Sequence, residues 1–198
     1  MVNIEYNALL SEVAELGLKN DMNAKSKQDK YLNITKDTGE FLAFLTKASN
    51  VTRILELGTS NGYSTLWFAG ALPENGEITT IERCVHKYQQ ALANIDRARL
   101  KCWINAFNGE ISTILPKLQQ GFDLIFFDAD RSIYMDILPL AEKLLAPNGI
   151  IVCDNATSHA HELTAFMQYF SDSQRYTTAL VPVGKGEFVA YRNTHCYE

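Results

Sequence analysis

Cysteine is scarce and widely spaced. Cys84, Cys102, Cys153 and Cys196 form no Cys-x-x-Cys pair, and three of them sit in or beside apolar runs. They read as reduced, packed thiols of a cytoplasmic protein, not as a disulfide framework. Long apolar runs are missing too: none approaches the ~20 residues that cross a bilayer. The opening Met1-Val2-Asn3-Ile4-Glu5 has neither the basic start nor the apolar stretch of a secretory signal. Charge of one sign is not concentrated. The net charge is −5 and the signs are interspersed, which argues against a nucleic-acid partner or an anionic membrane surface. Internal repeats and low-complexity stretches are absent. What remains is an ordinary globular balance, with 46% hydrophobic and 21% charged residues among 198. That length suits one domain with one large core.

Two helices are predicted before residue 50. Ile4, Leu9, Leu10, Val13 and Leu16 recur at helical spacing over 4–17. Lys19 to Asn33 is polar and reads as an exposed, mobile segment. Thr35 or Asp37 then caps a helix through Gly39-Glu40-Phe41-Leu42-Ala43-Phe44-Leu45.

From Arg53 strands alternate with helices. The expected strands are Arg53–Leu57, Glu77–Glu82, Lys101–Ala106, Asp123–Asp128 and Gly149–Asp154, with helices near 62–71, 86–97, 110–118, 132–145 and 159–170. Leu124-Ile125-Phe126-Phe127 and Ile150-Ile151-Val152 are apolar without alternation, as expected of parallel strands buried on both faces. Tyr176–Val183 and Glu187–Arg192, joined by Gly184-Lys185-Gly186, read as a terminal antiparallel hairpin. The pattern predicts a doubly wound α/β sheet with helices on both faces. Trp67, Phe68 and Trp103 read as packing residues.

Ligands bind such sheets outside the carboxyl ends of the strands, where strand order reverses. After the first strand comes Glu56-Leu57-Gly58-Thr59-Ser60-Asn61-Gly62. Its glycines permit a tight turn and close approach of a ligand. Ser60, Asn61 and Ser64 offer polar groups at the next helix start. The turn lacks Gly-x-Gly-x-x-Gly, and no Gly-Lys-Ser/Thr follows, so it is neither a dinucleotide fingerprint nor a phosphate loop. Glu56 would repel a pyrophosphate and suits a cationic amino group, such as that of a methionine moiety. Glu82, at the second strand end, can accept hydrogen bonds from both hydroxyls of a ribose. A plain strand–turn–helix junction is the competing reading.

Two further strand ends carry oxygen ligands, Asp128-Ala129-Asp130-Arg131 and Asp154-Asn155. Asp128, Asp154 and Asn155 form an all-oxygen set suited to a hard cation such as Mg²⁺ or Ca²⁺, which can lower the pKa of a bound hydroxyl. Asp and Asn at strand ends also serve as turn formers and helix caps, a reading that fits Asp130. His159 and His161, two apart, face different sides of a helix and read as helix-start or surface residues.

Together these residues resemble the cation-dependent O-methyltransferases of the catechol and caffeoyl-coenzyme A type, from about Ile34 to Tyr191. Asn33–Leu42 resembles the family's lead-in segment. Leu55-Glu56-Leu57-Gly58-Thr59-Ser60-Asn61-Gly62-Tyr63-Ser64 resembles its cofactor motif, and Glu82 its ribose-binding acid. Gly109-Glu110-Ile111 stands where the family has a Gly-Asp-Ala bordering the adenine. Phe122–Asp130 is similar to its fourth-strand signature, and Asp154-Asn155 to its metal pair. The resemblance implies one methyltransferase domain with a seven-stranded, mostly parallel sheet. Residues 1–50 would form a helical acceptor-side segment and 51–198 the cofactor-binding core.

It implies S-adenosylmethionine held by Glu56, Gly58, Thr59, Ser60, Gly62, Tyr63, Ser64, Glu82, Glu110, Ile111, Asp128 and Tyr134. It also implies a divalent cation (Mg²⁺, with Ca²⁺ or Mn²⁺ as alternatives) on Asp128, Asp154 and Asn155. The acceptor would be a small hydroxylated molecule and the assembly a homodimer. Asp128 and Arg131 are the catalytic candidates. Arg131 stands where the family usually has a Lys that helps deprotonate the acceptor. A guanidinium stays protonated and cannot be a general base. Arg131 could stabilise a phenolate, mark a different substrate, accompany weak or lost catalysis, or serve only in a surface ion pair. A tRNA-base methyltransferase and a non-catalytic cofactor-binding protein remain as alternatives.

Overall fold

The computed structural model describes residues 4–100 and 102–194. Cys196, Lys101 and Met1-Val2-Asn3 lie outside the described residues. Two helices come first, α1 (Ile4–Asn23) and α2 (Lys36–Ala48). The alternating part follows as β1 (Arg53–Leu57), α3 (Tyr63–Ala69), β2 (Glu77–Glu82), α4 (Val85–Ala98), β3 (Trp103–Asn108), α5 (Ile111–Ile114), β4 (Phe122–Phe127), α6 (Tyr134–Leu144), β5 (Leu145–Cys153) and α7 (Ala160–Ser171). A hairpin of β6 (Tyr176–Val181) and β7 (Glu187–Arg192) closes the chain. Single 3₁₀ turns occupy Lys27–Asp29, Leu115–Lys117 and Arg131–Ile133.

The strands form one seven-stranded sheet in the order β3-β2-β1-β4-β5-β7-β6. The first five strands are parallel, and β7 is antiparallel to both β5 and β6. The apolar runs are buried on both sides because helices cover both faces. Leu55, Leu57, Ile125, Phe127, Ile151 and Cys153 point to one face and pack with Tyr134, Ile137 and Phe166 of α6 and α7. Their strand neighbours Ile54, Leu124, Phe126, Ile150 and Val152 point to the other and pack with Val13, Leu42, Leu66 and Phe68 of α1, α2 and α3. The period of two along each strand thus feeds two separate cores. Thr35 caps α2, its hydroxyl accepting from the Thr38 N–H at 3.3 Å.

Several sequence expectations need correction. The polar stretch from Lys19 is helical through Asn23, a continuation of α1. Its side chains then anchor the returning chain: Asn20 Oδ1 and Asp21 Oδ1 accept from the Tyr31 N–H at 2.9 and 2.8 Å. Tyr31 and Ile34 are buried. The third strand is shifted to Trp103–Asn108, and Trp103 is 71% exposed rather than packed. It sits on an edge strand whose outer face no helix covers. The fifth strand starts at Leu145, with a register irregularity opposite Phe122/Leu124 that absorbs Pro147 and Asn148. Phe68 is core, as expected, and Trp67 is partly buried against it. Cys84, Cys102 and Cys153 are free thiols. Among the described residues no helix is long and apolar enough to cross a membrane.

Phe166 sits at the centre of the α6/α7 core, with ring centroids 5.0 Å from Phe127, 5.5 Å from Tyr134 and 5.1 Å from Phe170. Phe166→Ala should cost about 3–5 kcal/mol in urea denaturation, the usual range for deleting a buried ring. A loss under about 1 kcal/mol would show that this cluster does not anchor the face.

Candidate active site

The chain leaves β1 for β2 and β3 on one side, then crosses back to β4 and β5 on the other. The switch point is therefore between β1 and β4, the place where such sheets bind ligands. Their register pairs Leu57 with Phe127, and the Asp128 N–H donates to the Leu57 carbonyl at 3.0 Å. Gly58 and Asp128 consequently leave the sheet side by side. One strand further, the Asp154 N–H donates to the Phe127 carbonyl at 3.1 Å. On the opposite side the Gly58 N–H donates to Ile81 O at 3.0 Å and the Gly109 N–H to Glu82 O at 3.0 Å. The Gly58 turn, Glu82, Gly109-Glu110, Asp128 and Asp154-Asn155 thus share one carboxyl edge.

Glycine is required at the centre of this edge. Gly58 has φ +104°, and a Cβ there would lie 2.4 Å from the Asp128 carbonyl oxygen. Gly62, at φ +85°, caps α3 from the left-handed region. Ser60 and Asn155 adopt φ 49° and 67° without being glycine, a local strain that clusters at functional sites.

Each candidate has a definite place. Glu82 accepts from the backbone N–H groups of Ser60 at 2.9 Å and Cys84 at 2.7 Å, one on each carboxylate oxygen. A carboxylate has about four acceptor sites, so each oxygen keeps a lone pair for a further donor. Ser60, Thr59, Asn61, Tyr63, Ser64 and Asp128 line a narrow cleft together with Leu32, Asn33 and Ile34. The Ser60 hydroxyl donates to Tyr31 O at 2.6 Å, which ties the α1–α2 connection over the turn. Ile111 is buried and Glu110 exposed at the start of α5. Tyr134 is buried in the α6 core, and its hydroxyl donates to Ala129 O at 3.1 Å, bracing the Asp128 loop.

Glu56 lies beneath the turn and is fully buried. Its carboxylate accepts from the hydroxyls of Ser64 at 2.6 Å, Thr65, and Thr80 at 2.5 Å. It therefore pins β1 to α3 and β2. Burial outweighs these three bonds and pushes its pKa up to about 7.

Asp128 is partly open to the cleft. Burial, then the charge of Asp154, hold its carboxyl well above the usual carboxylate range, while Lys185 and Arg131 pull the other way. Asp154 accepts from the Asn155 N–H and from Asn155 Nδ2, both at 2.7 Å, which leaves the Asn155 amide oxygen turned away from it. Arg131 lies in the 3₁₀ turn after Asp130 and donates through Nε to Glu162 Oε2 of α7 at 2.8 Å. Among the described residues no group of three His, Cys, Asp or Glu stands at metal-holding spacing. His159 heads α7 beside Ser158, and His161 is exposed next to Glu162.

Several residues at this edge carried no sequence signal. Asn94, buried on α4, donates to Asn61 O at 2.8 Å and supports the turn from below. Lys185 stands in the hairpin turn, and its carbonyl accepts from the N–H groups of Thr157 and Ser158 at 3.1 Å. Glu187 opens β7, is fully buried, and accepts from the Thr38 hydroxyl at 3.0 Å. Burial, then the neighbouring Asp154 charge, push its pKa up to about 10.

This sheet, with its ligand edge at the switch point, is the class I methyltransferase fold. The O-methyltransferase TomG from Streptomyces achromogenes, solved in complex with SAM, matches with a TM-score of 0.78 at 25% identity, over 93% of this chain and 89% of that one. The O-methyltransferase family profile matches residues 7–192, and the chain belongs to that family. A catechol O-methyltransferase from Niastella koreensis is 40% identical over 128 residues, which are 63% of this chain and 58% of that protein. A caffeoyl-CoA O-methyltransferase from Populus kitakamiensis is 37% identical over 129 residues, 63% and 55% respectively. The chain thus spans between half and three fifths of the length of these curated relatives.

Raised from 4.5 to about 7, Glu56 holds its proton more tightly in the folded chain than in the unfolded one. Its contribution to stability is fully present below pH 4.5 and is lost as the pH climbs through 7. Glu56→Gln removes this dependence. Measured with EDTA present, the variant should gain about 3 kcal/mol on the wild type between pH 4.5 and pH 8. A constant difference across that window would show that Glu56 ionises normally.

Proposed function

We propose that the chain binds S-adenosylmethionine at the Gly58–Ser64 turn and transfers its methyl group to a hydroxyl of a small phenolic or catechol-like acceptor. The observation that carries this reading is the shared carboxyl edge of the Gly58 turn, Glu82, Asp128 and Asp154-Asn155. The cofactor supplies a methyl group on a sulfonium, which is already a strong electrophile. The chain's task is then alignment and ionisation of the acceptor.

Groups along the cleft fit such a ligand. Glu82, bonded to the turn through Ser60, keeps lone pairs that suit two ribose hydroxyls. Asn33 Oδ1 and Asn61 Nδ2 are buried without hydrogen-bond partners, and both residues line the cleft. They supply one unused acceptor and one unused donor, the pair that an amino-acid moiety consumes. Glu56 lies behind the turn with three hydroxyls on it, so its proposed part is to hold Ser64 and α3 in place.

A divalent cation, Mg²⁺ first, would be held by Asp128, Asp154 and the amide oxygen of Asn155. It would lower the pKa of the acceptor hydroxyl. The donor chemistry fits: two carboxylates and an amide suit a hard cation. Arg131 takes no proton; it presents a fixed positive charge beside Asp128 and stabilises the acceptor's phenolate. Glu162 fixes the guanidinium in that position. Lys185 adds a second positive charge that acts on Asp128 from the hairpin.

Calorimetry with S-adenosylhomocysteine should show one site per chain, weakened at least tenfold by Glu82→Ala; no binding would end this reading. With catechol and Mg²⁺, Arg131→Met should lower kcat about tenfold and move the rising limb of the pH–rate profile to higher pH, because the phenolate loses a stabilising charge. An unchanged profile would assign Arg131 to its ion pair with Glu162 alone.

A further inference from the structure

The carboxyl edge has two halves. The Gly58 turn, Glu82 and Gly109-Glu110 stand over β1, β2 and β3. A nucleoside cofactor held there leaves the half over β4, β5 and β7 for the acceptor. That half gathers basic side chains, although the chain as a whole has a net charge of −5.

Hydrogen bonds bring three of them to the start of α7. Arg131 comes from the turn after β4 and is held through Nε by Glu162 at 2.8 Å. The Glu162 N–H donates to the His159 carbonyl at 2.9 Å. Lys185 comes from the hairpin, where its carbonyl accepts from the Thr157 and Ser158 N–H groups, both at 3.1 Å. The Ser158 hydroxyl in turn meets His159 Nδ1 at 2.9 Å. Lys27 lies in the α1–α2 connection, whose Asn33 and Ile34 line the cleft and whose Tyr31 carbonyl is tied to Ser60. Loss of water and then Arg131 lower the His159 pKa; Glu162 opposes them, and Lys27 and Lys185 add to the fall. All three cations thus act on one ring.

The acids of this half are already engaged. Glu162 holds Arg131, Asp154 accepts from Asn155, Glu187 from Thr38, and Asp37 from the Gly184 N–H at 3.0 Å. Lys27 and Lys185 are exposed, and among the described residues neither stands in an ion pair. Like charges gathered without counter-charges repel one another and attract an anion. An uncharged acceptor leaves that repulsion in place, and a cationic one adds to it.

We propose that the acceptor is an anionic catechol, a dihydroxylated ring bearing a carboxylate, and that Lys185 and Lys27 receive the carboxylate while Arg131 stays at the ring oxygens. This rests on the reading of the chain as a methyltransferase for a small phenol; it does not depend on the cation. Lys185 acts on both Asp128 and His159. The anion it meets is therefore close to the reacting hydroxyl, the place of a carboxylate on the ring and not of a distant phosphate. Charge pairing of this kind sets specificity more than overall affinity, so its signature is discrimination among acceptors.

The test compares three acceptors with the same reacting ring at neutral pH: protocatechuate, which carries a carboxylate, catechol, which is uncharged, and dopamine, which carries an ammonium group. Initial rates are measured on the full chain with S-adenosylmethionine and MgCl₂. At low salt kcat/KM should fall in that order, with about tenfold or more between protocatechuate and dopamine. The ratio should shrink severalfold at about 300 mM NaCl, where exposed charges are screened. Lys185→Gln and Lys27→Gln should each lower the ratio about threefold, through a higher KM for protocatechuate, and Lys185→Arg should restore it. Melting of each variant controls for folding. A protocatechuate-to-dopamine ratio of one or less, or a ratio that both Gln variants leave unchanged, overturns the inference, while turnover of any of the three keeps the methyltransferase reading. If the chain binds S-adenosylhomocysteine but turns over none of them, the small-phenol reading and this inference fall together.

Discussion

The parallel pairing of β1 with β4 is the constraint on which the rest depends. The two strands are adjacent in space but 65 residues or more apart along the chain, because β2, β3 and their helices intervene. Their register, Leu57 against Phe127, brings the Gly58 turn onto the backbone of Asp128 with no room for a side chain between them. Shift that register by one and Leu55, Leu57, Ile125 and Phe127 exchange cores with Ile54, Leu124 and Phe126. The two-faced apolar packing thus fixes the site's geometry to within one residue. The core has a functional consequence here: it decides which polar residues meet at the edge.

That edge is assembled against electrostatic preference. Glu56, Asp154 and Glu187 are buried, Asp128 is mostly enclosed, and each of Glu56, Asp128 and Glu187 is held above its ordinary pKa chiefly by loss of water. Glu56 is offset by three hydroxyls, a complete internal solution. In the Asp128–Asp154–Glu187 group, Asp154 accepts from Asn155 and Glu187 from Thr38, and after burial the charge of Asp154 raises the pKa of both Asp128 and Glu187. Such a concentration of buried acid is the kind of local violation found at working sites. The strained φ values of Ser60 and Asn155 lie in the turns after β1 and β5, at the same carboxyl edge.

Much of this was legible in the sequence, and the exceptions share a cause. Strand ends were readable because the runs Arg53–Leu57 and Glu77–Glu82 and the hairpin glycines are local signals. The meeting of Gly58, Glu82, Asp128 and Asp154 followed from the sheet rule alone. Trp103 was misplaced because an apolar residue in a strand looks the same in a central and an edge position; only sheet order, a long-range property, separates them. The end of α1 was missed because polar residues such as Asn20 and Asp21 act through partners ten or more positions away. Glu187 was invisible for the same reason. Its hydrogen bond to Thr38 spans 149 residues, and in a hairpin a lone Glu is ordinarily a solvated one.

Arg131 shows how packing can convert an ambiguous residue into a constrained one. From sequence it was either a surface ion-pair member or a site residue. In the structure Glu162 binds its Nε from α7, while its charge acts on Asp128. An unpaired arginine at this place would swing to solvent, drawn by hydration. The Arg131 side chain is 16% exposed and that of Glu162 39%, so the pair is partly shielded from water. Its physical effect is on orientation, because a planar guanidinium bonded at Nε keeps its two terminal nitrogens free. A lysine at this place would offer a removable proton but no such fixed fork. The arginine therefore offers a permanent, aimed positive charge in place of a removable proton.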